Sequence, residues 1–267
     1  MFRGFYGMME NPFEKQLRED HVYESRDFKE MTDRLNRLKD IRGIGVFTAP
    51  PGGGKTFVMR CFAKSLNPTL FQMAYICLST VSVTEFYVQF CGALGVDASQ
   101  RKATMFKNIQ QRIFAMYKEK RRPLILALDE AHELDSRILK DIKMIMNQDY
   151  DSLDCFTIIL LGEPHLNNIL QKPVHEALRQ RITIHYNFDC LSEDETENYI
   201  LHKLESAGAA TGIIGDGVLK AVYGYARGNP RMIDNLMTDA LTLGAQQNKH
   251  VVDTDTLLAA MNNQQLG

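Results

Sequence analysis

Two short stretches of this sequence carry residue types at spacings that suit phosphate chemistry. The first is Ala49-Pro-Pro51-Gly52-Gly53-Gly54-Lys55-Thr56-Phe57, which follows the phosphate-loop pattern G-x-x-x-x-G-K-[ST] except at its first position, where Ala49 replaces glycine. Three glycines let successive backbone N–H groups turn toward one centre, and a helix starting there adds its positive end. Lys55 supplies a charge for the β- and γ-phosphates, and the Thr56 hydroxyl is a ligand for Mg²⁺. Alanine at position 49 is tolerable if its φ is negative and costly if the loop needs φ > 0. The second stretch is Leu124-Ile-Leu-Ala-Leu128 followed by Asp129-Glu130. An apolar run without alternation is a strand buried on both faces, and acids at its carboxyl end lie on the ligand side of a parallel sheet. There Asp129 can hold the metal or its water and Glu130 can orient the attacking water. His132, which completes Asp129-Glu-Ala-His132, reads more readily as a helix-start residue than as a catalytic one.

These residues need a sheet to hold them, and the periodicity supplies one. Strands at 44–48, 74–78, 124–128, 156–161 and 182–188 alternate with helices at 55–66, 84–93, 105–117 and 136–146 and one running to Arg179, with a further helix from Ser25 ahead of them. That alternation implies a parallel α/β sheet covered on both faces. From about Cys190 the pattern becomes helical, opening with the capping box Ser192-Glu-Asp-Glu195. The organisation expected is an N-terminal flanking segment over 1–43, an α/β core over 44–188 and a helical lid over 189–267.

Bulk properties narrow the class. With 31 basic and 33 acidic side chains the net charge is −2, so a polyanion site must be local. Five scattered cysteines form no C-x-x-C pair, which favours free thiols in a reducing compartment. No apolar run approaches the roughly 20 residues of a membrane span, and the N-terminus lacks a signal-like apolar core. The expectation is a soluble cytoplasmic protein without membrane contact.

Taken together, the two motifs resemble the AAA+ ATPases over almost the whole chain. The resemblance implies a P-loop NTPase core with a five-stranded parallel sheet, ATP and Mg²⁺ as cofactors, and hydrolysis of ATP to ADP and phosphate. It sets Glu163, after Phe156-Thr-Ile-Ile-Leu-Leu161-Gly162, where the family carries a polar sensor of the γ-phosphate. It sets Arg179 and Arg181 of Ala177-Leu-Arg179-Gln-Arg181 at the arginine-finger position, and Arg231 of Gly228-Asn-Pro-Arg231 at the second sensor. Within the family the sequence is similar to the ExeA-like group, which includes the TnsC, TniB and MuB type transposon ATPases. Phe5-Tyr-Gly7, Asn11-Pro12-Phe13, Asp129-Glu-Ala-His132, Leu161-Gly-Glu-Pro164 and Glu176-Ala-Leu-Arg-Gln-Arg181 carry that likeness. It suggests that Asn11, Pro12 and Phe13 pack beside the adenine. Secretion-type members continue into a membrane span and a cell-wall-binding domain, neither of which this sequence displays, so the transposition branch is expected. That branch implies a homo-oligomer, ring or filament, on duplex DNA without sequence preference, with a DDE-type transposase and a target-selection protein as partners. Its DNA-facing loops map to Thr80, Ser82, Arg101, Lys102 and Thr104, hydroxyls and cations that bind phosphates without reading bases. The competing expectation is a nucleotide switch that scaffolds protein assembly, as in secretion, without acting on DNA.

Overall fold

The computed structural model describes residues 2–14, 22–77, 82–147 and 153–264. The chain divides into two compact units, one of Glu30–Pro51 and Lys55–Phe188 and the other of Met1–Lys29, Gly52–Gly54 and Asp189–Gly267. One division thus falls at Phe188/Asp189 and another inside helix α2 (Arg26–Ile41), within the segment 1–43 that the sequence reading kept whole.

The first unit is a five-stranded parallel sheet in the order β2-β3-β4-β1-β5. Its strands are β1 (Gly43–Thr48), β2 (Gln72–Cys77), β3 (Leu124–Asp129), β4 (Thr157–Gly162) and β5 (Ile182–Asn187). β1, β3 and β4 are buried at every residue, as interior strands covered on both faces must be. The edge strands β2 and β5 instead alternate between buried and open positions. Helices α3 (Lys55–Ser65), α4 (Val83–Leu94), α5 (Lys102–Lys118) and α6 (Ser136–Met146) connect the strands. Asp135 caps α6 through a bond from the Arg137 N–H of 2.7 Å, and Ser82 with Glu85 forms a capping box on α4. Leu126, Leu128, Leu160, Phe86, Ile113 and Ile142 lie in one continuous core.

One expected helix is broken. The segment ending at Arg179 comprises α7 (His165–Gln171), a 3₁₀ turn at Pro173–His175 and α8 (Glu176–Arg179). Pro173 has no N–H to give and disfavours helical backbone at Lys172, so α7 stops and the chain restarts.

The second unit is helical: α1 (Phe2–Phe5), α9 (Glu193–Ser206), α10 (Val218–Ala226), α11 (Pro230–Gln246) and α12 (Thr254–Gln264). Its core includes Phe2, Tyr6, Phe13, Ile200, Leu236 and Leu257. The Tyr6 hydroxyl donates to the Lys249 carbonyl at 2.9 Å. Gly244 lets it pass, because a methyl there would collide with the Tyr6 oxygen.

Candidate nucleotide site

β1 ends at Thr48, and the glycine loop turns the chain into α3. Gly52 and Gly54 adopt φ of 82° and 100°, backbone that side-chain-bearing residues rarely take. Ala49 is absent from the described non-glycine residues with positive φ; it is fully buried and its N–H donates to the Gly162 carbonyl at 3.1 Å. The one departure from the motif thus falls where a methyl is tolerated.

Lys55 is buried, and its Nζ stands 3.9 Å from a Glu130 carboxylate oxygen. The Thr56 hydroxyl donates to Asp129 Oδ2 at 2.9 Å, and the Glu130 N–H donates to Asp129 Oδ1 at 2.9 Å. β3 fixes Asp129 at its buried end, so this carboxylate and the phosphate-loop threonine meet through the packing of a strand and a helix 73 positions apart. Glu130 sits at φ 55°, ψ 39° at the head of the 3₁₀ turn Ala131–Glu133. A left-handed glutamate costs on the order of 1–2 kcal/mol, strain that concentrates where a side chain must be aimed.

His132 is almost wholly buried in that turn and links it to the end of β4: the Glu163 N–H donates to its Nδ1 at 3.2 Å. That bond puts the ring proton of a neutral His132 on Nε2, which lies 3.5 Å from Glu133 and 4.0 Å from Glu163. Glu130, His132 and Glu163 offer ligand atoms within 4.8 Å of one another. His132 therefore holds Glu163 beside Glu130, a role the sequence reading did not give it.

Tyr75 was not singled out from sequence at all. Its hydroxyl donates to Asp129 Oδ2, the oxygen that also accepts from Thr56. Burial first, and then this bond, push the hydroxyl well above the usual tyrosine range. Alternation along β2 puts Tyr75 on the face opposite Ala74 and Ile76, but the pairing that aims it at Asp129 is a tertiary fact.

The other expected residues are placed as follows. Arg179 is exposed and donates to the carbonyls of Leu170 at 3.3 Å and Gln171 at 2.9 Å, capping α7. Arg181 follows it in the turn before β5 and is half-buried. Phe57 lies on the first turn of α3 with Arg60 over its ring, and Pro51 is exposed. Of the DNA-facing residues, Arg101 and Thr104 are exposed at the start of α5, while Lys102 pairs with Asp141 and covers the Tyr87 ring. The Ser82 hydroxyl accepts from the Glu85 N–H at 3.3 Å, and Thr80 lies outside the described residues.

In the helical unit Phe13 is buried, with Lys203 over its ring, and its N–H is bonded to the Asn11 side chain at 3.1 Å; Pro12 is half-buried between them. Arg231 opens α11 behind the Asn229 cap, whose Oδ1 accepts from the Arg231 N–H at 3.1 Å. A methyl on Gly52 would come within 2.7 Å of both Asn229 Oδ1 and Arg231 Cβ, a second reason for glycine there. Among the described residues no helix is long and apolar enough to cross a membrane.

Known proteins agree with this architecture. Residues 38–170 match the family model described as AAA domain (AAA_22). General secretion pathway protein A of Aeromonas hydrophila is 28% identical over 264 residues, which cover 97% of this chain and 48% of that protein. The chain thus spans about half the length of this relative. Among solved structures, Cdc6p from Pyrobaculum aerophilum superposes with a TM-score of 0.75 at 14% identity over 97% of this chain and 72% of that one. The Aeropyrum pernix ORC1 protein in complex with DNA gives 0.65 at 14% over 97% and 69%. The Thermotoga maritima RuvB Holliday junction branch migration motor gives 0.59 at 17% over 97% and 74%. Identities this low speak to fold alone. Residues 38–170 match the AAA domain model, and the chain has the α/β P-loop fold of these AAA+ neighbours.

Proposed function

We propose that this protein hydrolyses ATP and uses the cycle to assemble on duplex DNA and engage a transposase. The observation that carries the ATPase reading is the convergence on one strand end: Thr56 bonded to Asp129 at 2.9 Å, with Lys55 held 3.9 Å from Glu130. The amides of Gly52, Gly53 and Gly54 and the start of α3 cradle the phosphates, and Lys55 neutralises the β- and γ-oxygens. Thr56 and Asp129, directly or through water, would hold Mg²⁺, which would supply positive charge against the phosphate oxygens. Glu130 orients the attacking water and accepts its proton. Arg179 or Arg181 of one copy serves the nucleotide of its neighbour, and Arg231 contacts the γ-phosphate; Glu163 replaces the usual polar sensor. Arg101 and Thr104, exposed at the head of α5, are the best-supported phosphate contacts to DNA, whereas Lys102 already spends its charge on Asp141.

A second reading has its own support. The likeness to General secretion pathway protein A over 97% of the chain favours an assembly ATPase of the secretion type that never meets DNA. The test is ATP turnover against protein concentration, with and without duplex DNA, at low and moderate salt. Cooperative turnover raised by DNA supports a shared site on a DNA scaffold. Turnover indifferent to DNA, with no DNA binding at low salt, sinks the first use and leaves the second.

A further inference from the structure

We infer that Tyr75 is a positioning residue that fixes which oxygen of Asp129 faces the metal, an inference that rests on the ATPase reading above. β2 pairs with β3 in parallel register, Tyr75 against Ala127 and Cys77 against Asp129. Tyr75 is therefore the diagonal neighbour of Asp129 across the pair, a separation that an aromatic side chain spans. Ala74 and Ile76 take the other face and enter the core, while Tyr75 stays 43% exposed. An exposed ring on an edge strand contributes little packing, so its hydroxyl is the part with a task.

That hydroxyl donates to Asp129 Oδ2 alongside Thr56, and the Glu130 N–H donates to Oδ1, so three donors from β2, α3 and the following turn meet one carboxylate. A carboxylate has about four lone-pair positions. With both positions of Oδ2 taken, the one left open is on Oδ1. Thr56, acting as donor, keeps its own oxygen lone pairs for the metal. Removing the Tyr75 hydroxyl frees a position on Oδ2 and lets the carboxylate turn, so the metal loses a preset ligand while the phosphate cradle is untouched.

The test is Tyr75→Phe in the full chain, which keeps the ring. Mg²⁺ is titrated at fixed ATP while hydrolysis is followed, and binding of a fluorescent ATP analogue is measured in parallel with and without chelator. The expected result is a rise of about tenfold in the Mg²⁺ needed for half-maximal turnover, as for a hydrogen bond to a charged group. Analogue binding under chelation and the melting temperature should match wild type. An unchanged Mg²⁺ requirement overturns the inference. So does an equal weakening of binding with and without metal, since that marks a merely structural role. Failure of the wild type itself to bind the analogue with Mg²⁺ overturns the ATPase reading, an outcome separate from the other two.

Discussion

Two polar clusters in this molecule are built from the same kinds of group and end in opposite states. In the helical unit the Asp234 carboxylate on α11 takes two bonds from Lys203 of α9, at 3.0 and 3.1 Å, and one from Tyr199 at 2.8 Å. Lys203 also lies over the rings of Phe13 and Tyr199. Burial pushes both the Asp234 carboxyl and the Tyr199 hydroxyl upward, with Lys203 opposing the first. Every charged atom there is answered. In the α/β unit Asp129 is equally well held, but Lys55 and Glu130 face each other at 3.9 Å, beyond hydrogen-bond reach, and Glu130 sits on strained backbone. A closed set of polar groups stabilises, whereas a set held rigidly with some groups unanswered is poised to bind and react.

The sharpest break of this comparison is Glu130→Gln. On the proposed ATPase reading it removes the base and keeps the shape, so turnover should fall by about 10²–10⁴-fold while ATP stays bound. Turnover at the wild-type rate would remove Glu130 from the mechanism. In the closed cluster the expected loss is stability. Asp234→Ala leaves Lys203 without its partner and should cost about 3 kcal/mol, the low end for a broken buried pair because Lys203 retains some exposure. Tyr199→Phe, which removes one neutral donor, should cost about 1 kcal/mol. Denaturant unfolding checks both, and equal losses in the two variants would contradict the view of Asp234–Lys203 as the centre.

Much of the site was legible because its signals are local. The glycine run, the unbroken apolar strand before Asp129 and the capping box at Ser192 each specify backbone from residues within a few positions. Ala49 was read as an irregularity, and its effect depended on one torsion angle that no neighbour reveals. What stayed illegible is what strand pairing decides. Tyr75 reaches Asp129 only because β2 lies beside β3 in a given register, and Lys102 is neutralised by Asp141, which lies 39 positions on. The break at Pro173 is local, and one proline is its whole signal, so a helix drawn straight through to Arg179 passes over it. Likewise α1 is a single turn, too short to show a period.

The smallest effect concerns a histidine in the same unit as the open cluster. His175 is buried in the 3₁₀ turn ahead of α8, with its Nε2 3.1 Å from the Ser136 hydroxyl. Burial first, then the charges of Lys140 and Lys172, hold its pKa below the usual 6.5. The unfolded chain therefore takes up this proton before the folded one does. The stability His175 contributes is present above pH 6.5 and is lost as the pH falls toward its folded-state value. Melting temperatures between pH 7 and 5.5, above the range where carboxylates titrate, should decline in wild type and decline less in His175→Gln, which keeps a hydrogen-bonding group and has no charge to gain. His185 is shifted in the same direction by burial and by Arg34, but it is exposed and water screens it, so His185→Gln should flatten the profile less. The reverse order would mean that exposure is a poor guide to which titrating group the fold resists charging.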